Sequence, residues 1–211
     1  MANASGVQAP WPQEIDRKDD TIHSHRLLVT GASGVGTTTL GRALASLQSV
    51  PHADVDDYFW IATSPPYTYK RPIEDRLALM NSLFLPRDAW ILSGSLMGWG
   101  DSLIKMFDGV VFLTVDPHAR MDRLMNREVL RYGDTIEQGG FNEAAHHEFM
   151  DWARGYDDAN FSGRSRAQHE RWLTELPCPV LRLDSAESVP ELISAVTDWL
   201  RNDVSCDNRN S

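Results

Sequence analysis

Short runs of apolar residues alternate along the chain with longer segments in which apolar residues recur at helical spacing. A short continuous run is typical of a strand buried in a parallel sheet, and helical spacing is typical of an amphipathic helix. The alternation of the two patterns therefore predicts an α/β fold. The runs that predict strands are residues 27–29, 50–55, 90–92, 109–115 and 179–183.

The first apolar run leads into a glycine-rich segment, residues 31–38, which opens a predicted helix. Its spacing matches the phosphate-loop pattern G-x-x-x-x-G-K-[ST] at every position but one: Gly31 and Gly36 fit, while Thr37 replaces the lysine. Thr38 supplies the hydroxyl that would contact Mg²⁺. Backbone N–H groups in such a loop can surround an anion, although a glycine-rich turn without a ligand is the alternative. The residues expected to bind phosphate are Gly31, Ser33, Gly34, Val35, Gly36, Thr37, Thr38 and Thr39.

Carboxylates follow the second run, at the edge where open parallel sheets bind their ligands. Asp54 and Asp56 flank Val55, so an extended backbone would direct both toward one side. One carboxylate could hold Mg²⁺ through water, and the other could take a proton from an attacking hydroxyl. The alternative for both is capping of the next helix, the role that we assign to Asp57.

Candidate substrate-binding residues follow the second and third predicted strands. Arg71 and Arg76 could bind an anionic group through the guanidinium fork, but for Arg76 we favour a solvated helix face. Gly94 and Ser95 end the third run at the same sheet edge as the phosphate loop, and Gly94 allows close backbone approach. Some aromatic residues would suit a ring or a base, although core packing explains them equally well: Trp60, Tyr67, Tyr69 and Trp99.

Further arginines lie on and after the helix that follows the fourth run. That helix begins beside the expected site, so arginines near its end could reach phosphate, and solvation is again the alternative. A polar segment after it is predicted to be a mobile cover that brings additional arginines to the phosphates when it closes. The candidates are Arg127, Arg131, Arg164, Arg166 and Arg171.

The length of 211 residues suits one domain with a small insertion. We assign this domain to residues 25–202, with a substrate insert at about 57–87 and a helical lid at about 131–171. Residues 1–24 and 203–211 are polar and lack periodicity, so we predict a mobile extension and a mobile tail.

Composition narrows the classes of function. The net charge of −10 argues against nucleic acid or an anionic membrane as the main partner, but a small site can still be locally positive. Cys178 and Cys206 are too few for a disulfide framework or a zinc site. The sequence has no apolar stretch of membrane-spanning length and no apolar core of a signal peptide, so we expect a protein of the reducing cytoplasm.

From residue 26 to residue 202, the order of these features resembles the small P-loop kinases. The resemblance implies a P-loop NTPase three-layer fold, with a five-stranded parallel sheet in the order 2-3-1-4-5, flanking helices and a lid. Residues 52–56 and 93–95 resemble shikimate and gluconate kinase-like enzymes, which carry acidic residues after the second strand and a glycine-containing turn after the third. Residues 90–92 resemble adenylate and cytidylate kinase-like enzymes, in which an aspartate stands at the position of Ser93.

The resemblance implies transfer of the γ-phosphate of ATP to a small-molecule or nucleotide acceptor, with Mg²⁺. In that reading Asp54 supports Mg²⁺, and Asp56 orients or deprotonates the acceptor hydroxyl. Thr37 leaves two alternatives open, a nucleotide-binding sensor or partner module without kinase turnover and a slow NTP hydrolase. Some archaeal cytidylate kinases carry a similar Gly-Thr-Thr-Thr stretch, and an arginine from the lid could supply the missing charge.

Overall fold

Five parallel strands form the sheet at the centre of the protein. In the computed structural model, which describes residues 25–204, they are β1 (Arg26–Gly31), β2 (His52–Asp54), β3 (Trp90–Ser93), β4 (Gly109–Thr114) and β5 (Val180–Asp184). Their spatial order is β2-β3-β1-β4-β5, which confirms the order that the resemblance implies. β1 pairs with β3 on one side and with β4 on the other, so the glycine-rich segment leaves the middle of the sheet.

Seven α-helices lie within the described part of the chain. They are α1 (Thr37–Gln48), α2 (Val55–Phe59), α3 (Ile73–Leu83), α4 (Pro117–Tyr132), α5 (Glu143–Arg154), α6 (Arg166–Thr174) and α7 (Val189–Trp199). Short 3-10 helices cover Asp101–Met106, Gly133–Ile136 and Gly155–Asp157, and a π-helix covers Leu200–Val204. Among helices of residues 25–204, none is both long enough and apolar enough to cross a membrane.

Helices cover both faces of the sheet, which explains why the three central strands, β3, β1 and β4, are almost wholly buried. Side chains alternate across a strand, so Leu27 and Val29 pack on one face of the sheet and Leu28 packs on the other. The first face is buried by apolar residues of α1 and α7, and the second by residues that include Met80 and Trp172. The carboxyl ends of the strands remain the edge from which the candidate site is built.

Several predicted boundaries shift in the structure. The second strand ends at Asp54 rather than near Val55, because Val55 begins α2 and Asp54 caps it. The tail predicted from residue 203 starts within the helical segment Leu200–Val204. Residues 205–211 of that tail, with Cys206, and the predicted extension 1–24 lie outside the described residues.

Candidate functional site

The phosphate loop, residues 31–38, connects β1 to α1 and packs directly on α4. Gly34 and Gly36 have φ angles of 92° and 94°, in the left-handed region that favours glycine. A Cβ atom on Gly34 would lie 2.7 Å from the Cγ atom of Leu124, so a larger residue has no space there. Gly36 is the N-cap of α1, and no side chain of the described residues caps that helix. The N–H groups of its first turn are therefore available to an anion.

Asp54 joins the phosphate loop to α2. Its Oδ2 atom accepts a 2.6 Å hydrogen bond from the Thr38 hydroxyl, and its Oδ1 atom accepts one of 3.0 Å from the Asp56 N–H group. Asp57 completes the capping box of α2, but Asp54 is the N-cap itself. Asp54 thus caps a helix and also lies beside the phosphate loop. The Thr38 hydroxyl and the Asp54 carboxylate form an all-oxygen donor pair of the kind that Mg²⁺ prefers.

Ser93 contacts the first residue of α1, Thr37, and the sequence did not predict this contact. The Ser93 hydroxyl is fully buried and donates a 3.1 Å hydrogen bond to the Thr37 carbonyl oxygen. The Nε2 atom of His52 lies 2.9 Å from the same hydroxyl. Burial lowers the pKa of His52, so the imidazole is a neutral partner near pH 7. This hydroxyl is occupied in packing α1 onto β3.

Arg164 lies against the phosphate loop. Its Nη2 atom donates a 3.1 Å hydrogen bond to the Ser33 hydroxyl, and its guanidinium lies 5.1 Å from the centre of the Trp152 ring. Its Nε atom is buried without a hydrogen-bond partner among the described residues. Burial lowers the pKa of Arg164, and the neighbouring Tyr156 and Asp56 oppose that shift. A cation from the predicted lid thus reaches the loop that lacks a lysine.

Arg120 is a second arginine in contact with the phosphate loop, and sequence reasoning missed it. Only 2% of Arg120 is exposed, and its Nη1 atom donates to the Ser33 carbonyl oxygen at 3.2 Å. Its Nη2 atom donates to the carbonyl oxygen of Ala153 at 2.9 Å and to the carboxylate of Asp157 at 2.7 Å. The regular spacing of arginines on α4 suggested a solvated face. The one available signal was the position of Arg120 in the first turn of a helix that follows a central strand.

A buried histidine anchors α6, the last helix of the predicted lid, to the sheet. His169 has no exposed surface, and its ring nitrogens lie 3.1 Å from the Thr30 hydroxyl and 3.1 Å from the Tyr156 hydroxyl. Burial lowers the pKa of His169 to about 3, and the positive charge of Arg164 acts in the same direction. Burial also raises the pKa of Tyr156 to about 12. In this structure α6 is therefore packed in the core, and movement of residues 131–171 stays a prediction.

Asp56 lies where the carboxyl edge of the sheet faces the arginines. Its side chain is exposed, yet the surrounding protein raises its pKa, and the neighbouring charge of Asp54 adds to the shift. The positive charges of Arg164 and Arg127 oppose that shift in the pKa of Asp56. The Asp56 carboxylate therefore lies within electrostatic range of two of the predicted arginines.

The other candidate arginines differ in the residues that they contact. The Arg131 guanidinium lies 5.1 Å from the centre of the Tyr67 ring and so connects the end of α4 to the predicted substrate insert. Arg127 is near the carboxylate of its neighbour Glu128, at 3.4 Å, and acts electrostatically on Asp56. Arg166 and Arg171 are exposed on α6, and neither forms a hydrogen bond to the phosphate loop within residues 25–204.

Arg71 and Arg76 are used largely to build the substrate insert. Arg71 donates to the carbonyl oxygens of Tyr58 and Trp60, at 3.0 and 3.2 Å. Arg76 donates through Nε to the Arg71 carbonyl oxygen at 2.6 Å, and its guanidinium lies 3.8 Å from the centre of the Phe59 ring. Only 6% of Arg76 is exposed, so the solvated helix face that we favoured for it is wrong. Aromatic packing, which a helical pattern does not reveal, buries this cation.

Gly94 and Ser95 lie at the carboxyl end of β3, as predicted. A Cβ atom on Gly94 would lie 2.7 Å from the Cβ atom of Val55, so this glycine allows the close approach of α2. The Ser95 hydroxyl is buried without a hydrogen-bond partner among the described residues, and the Ser95 carbonyl oxygen accepts from Trp99 Nε1 at 3.3 Å. The substrate role of both residues stays a prediction.

Comparisons with known proteins agree with this fold. A family model described as AAA domain matches residues 27–149. The uncharacterized protein YqaC of Bacillus subtilis (strain 168) is 42% identical over 172 residues, which cover 82% of this chain and 95% of that protein.

Solved structures of two kinases are similar in fold. A gluconokinase from Sinorhizobium meliloti 1021 has a TM-score of 0.50 at 14% identity, covering 89% of this chain and 98% of its own. A shikimate kinase from Acinetobacter baumannii, in complex with shikimate, has a TM-score of 0.52 at 13% identity, covering 87% of this chain and 96% of its own. These similarities show a P-loop kinase fold.

Proposed function

The chain belongs to the AAA domain family, and we propose that it is a P-loop kinase. In this proposal it binds ATP and transfers the γ-phosphate to the hydroxyl of a small-molecule or nucleotide acceptor. The observation that carries the proposal is the hydrogen bond from Arg164 to Ser33, because it directs a cation to a phosphate loop that lacks its lysine. Phosphoryl transfer depends on positive charge held against the phosphate oxygens.

The phosphates bind through the backbone N–H groups of residues 34–38 and the N-terminus of α1. Arg164 supplies the positive charge that the missing lysine would provide. Arg120 stabilises the loop by its hydrogen bond to the Ser33 carbonyl oxygen. A guanidinium suits this position since it remains charged even where burial lowers its pKa.

Thr38 and Asp54 would hold Mg²⁺, because their oxygen atoms lie 2.6 Å apart beside the loop and fit its preference for hard oxygen ligands. When bound, Mg²⁺ supplies charge neutralisation at the phosphate oxygens. Within the described residues no three His, Cys, Asp or Glu side chains cluster as a metal site. A magnesium ion held jointly by one carboxylate, one hydroxyl and the nucleotide phosphates does not need such a cluster.

Asp56 is the proposed base for the acceptor hydroxyl. As the hydroxyl oxygen forms a bond to the γ-phosphorus, the bond from that phosphorus to the bridging oxygen breaks, and ADP leaves. The hydroxyl proton passes to the Asp56 carboxylate and then to solvent. A carboxylate whose pKa is raised by its surroundings is a better base at neutral pH than an ordinary one.

Thr37 favours a second candidate function, a nucleotide-binding module without kinase turnover. The burial of the Ser93 hydroxyl against α1 also favours it, because this hydroxyl is not free to contact a ligand. The two functions differ in their response to Asp56→Asn. A kinase loses turnover with this change, whereas a binding module has no turnover to lose and keeps its affinity for the nucleotide.

The proposal is tested by measuring ADP release with ATP, Mg²⁺ and a panel of hydroxyl and nucleotide acceptors. We expect acceptor-dependent release, and we expect Arg164→Ala to lower kcat/KM by about 10²–10³-fold, as for loss of one oxyanion donor. Arg154→Ala is the matched control, because the exposed side chain of Arg154 pairs with the exposed Asp151 on the surface of α5. Acceptor-independent release, or equal activity in the two variants, would count against the proposal.

A further inference from the structure

We propose that the acceptor is a nucleoside, bound with its base against an aromatic wall formed by Trp60 and Tyr67 and with a sugar hydroxyl at Asp56. This inference rests on the proposed kinase function and names the substrate class of the same site. It depends on where the structure places the aromatic side chains, the carboxylate and the arginines of the substrate insert.

The aromatic wall lies beside Asp56. The Trp60 and Tyr67 rings meet edge to face, with centres 6.0 Å apart and an interplanar angle of 82°. Trp60 follows Asp56 by one helical turn, and its backbone N–H group donates a 3.1 Å hydrogen bond to the Asp56 carbonyl oxygen. Burial raises the pKa of Tyr67, and the charge of Asp56 adds to that shift. The aromatic wall therefore lies beside the residue that carries the proposed base.

Tyr67 is presented to solvent rather than buried in the core. Its side chain is 40% exposed, and its backbone φ angle of 60° lies in the region that non-glycine residues rarely adopt. Such conformations persist where the surroundings enforce them, and they cluster at ligand sites. Arg131 reaches across from α4 to lie 5.1 Å from the ring centre, which closes one side of the cleft.

Charge in the insert disfavours a carboxylate acceptor. The Nε and Nη2 atoms of Arg71 donate hydrogen bonds to main-chain carbonyl oxygens. Arg76 is only 6% exposed, and its guanidinium packs against the Phe59 ring. Neither arginine of the insert is therefore presented as an open guanidinium fork for a carboxylate. A neutral acceptor with a flat, apolar ring matches the aromatic wall better.

A nucleoside combines a flat aromatic ring with a hydroxyl on a short, flexible arm. With the base stacked on Tyr67 or Trp60, the sugar can extend toward Asp56. The hydroxyl oxygen then bonds to the γ-phosphorus, the bond to the bridging oxygen of ATP breaks, and the proton passes to Asp56. The products are a nucleoside monophosphate and ADP.

Calorimetry in the presence of Mg²⁺ and a nonhydrolysable ATP analogue separates this inference from the function on which it rests. The probes are adenosine, guanosine, cytidine, uridine and thymidine, with shikimate and gluconate as carboxylate comparisons. We expect heat from at least one nucleoside, and ADP release when ATP replaces the analogue. Heat from a carboxylate and from none of the nucleosides would overturn the inference but leave the kinase proposal standing. No heat from the ATP analogue itself would overturn both.

Variants of the aromatic wall locate the base. We expect Tyr67→Ala to raise the KM for the nucleoside about tenfold or more, since one stacked base contributes about 1–3 kcal/mol of binding, and to leave the Kd of the ATP analogue unchanged. Tyr67→Phe keeps the ring and should keep the KM. Tyr69→Ala is the matched control, because Tyr69 is 62% exposed in the same loop. A nucleoside KM that is unchanged in both Tyr67→Ala and Trp60→Ala would overturn the inference.

Discussion

The proposed phosphate side and the proposed acceptor side of the site both contain arginines, but they use them differently. On the phosphate side, Arg164 and Arg120 reach from distant parts of the chain to the side chain and the main chain of Ser33. On the acceptor side, Arg71 and Arg76 bind main-chain oxygens of their own segment. The first pair directs positive charge at the proposed ligand, whereas the second pair maintains the shape of a loop. An arginine near a predicted site is therefore informative only when its hydrogen-bond partners are known.

The largest expected effect comes from removing the buried cation on the phosphate side. Arg120→Ala leaves Asp157 and two carbonyl oxygens without their donor, and breaking a buried ion pair costs about 3–5 kcal/mol. We expect a loss of about 3 kcal/mol in the free energy of unfolding, measured in urea, together with weaker ATP binding. Arg154→Ala breaks an exposed pair and should cost less than about 1 kcal/mol. Equal losses in the two variants would contradict the account.

A smaller effect is expected on the acceptor side. Arg76→Met removes a charged hydrogen bond to Arg71 and the contact with the Phe59 ring, which together contribute about 2–3 kcal/mol. Because Arg76 supports the loop, we expect the free energy of unfolding to fall while the Kd for ATP stays the same. If the acceptor KM rose strongly with no change in stability, Arg76 would be a substrate ligand and the contrast between the two sides would fail.

The pH dependence of stability gives the smallest expected effect. His169 has a folded pKa of about 3 against an ordinary value of 6.5, so the unfolded chain binds the extra proton between these values. Stability from this group is complete above about pH 6.5 and is lost as the pH falls toward 3. Between pH 7 and pH 5 we expect it to account for about 2 kcal/mol of lost stability.

Comparison of the wild type with His169→Gln isolates this contribution from that of the many carboxylates. The variant has no imidazole to protonate, so its free energy of unfolding should fall less between pH 7 and pH 5. Parallel pH profiles for the two proteins would show that His169 does not titrate as its buried position between Thr30 and Tyr156 requires.

Local sequence patterns were sufficient for the phosphate loop, and the sheet order followed from the resemblance to the small P-loop kinases. The spacing of the glycines and the hydroxyl of Thr38 identify that loop from a short stretch of sequence. The acidic residues after β2 were recognisable because they follow a strand at the sheet edge where ligands bind. The hydrogen bond between Thr38 and Asp54 connects two such local signals across 16 residues.

The contacts and burial of individual arginines depend on long-range packing, which local sequence patterns do not show. Arg120 resembled other arginines of α4, and its burial depends on Ala153 and Asp157, which no helical pattern connects to it. Arg164 was one of several candidates, and its contact with Ser33 spans 131 positions. The burial of Arg76 depends on the placement of an aromatic ring from a different helix.

The central claim is that a phosphate loop with threonine in place of lysine binds a triphosphate with the help of Arg164. The most direct test is calorimetric titration of ATP with Mg²⁺ into the wild type and into Arg164→Ala. We predict saturable heat for the wild type and a clearly higher Kd for the variant. No heat from ATP or from any other nucleoside triphosphate with the folded wild type, or the same Kd for both proteins, would contradict the claim.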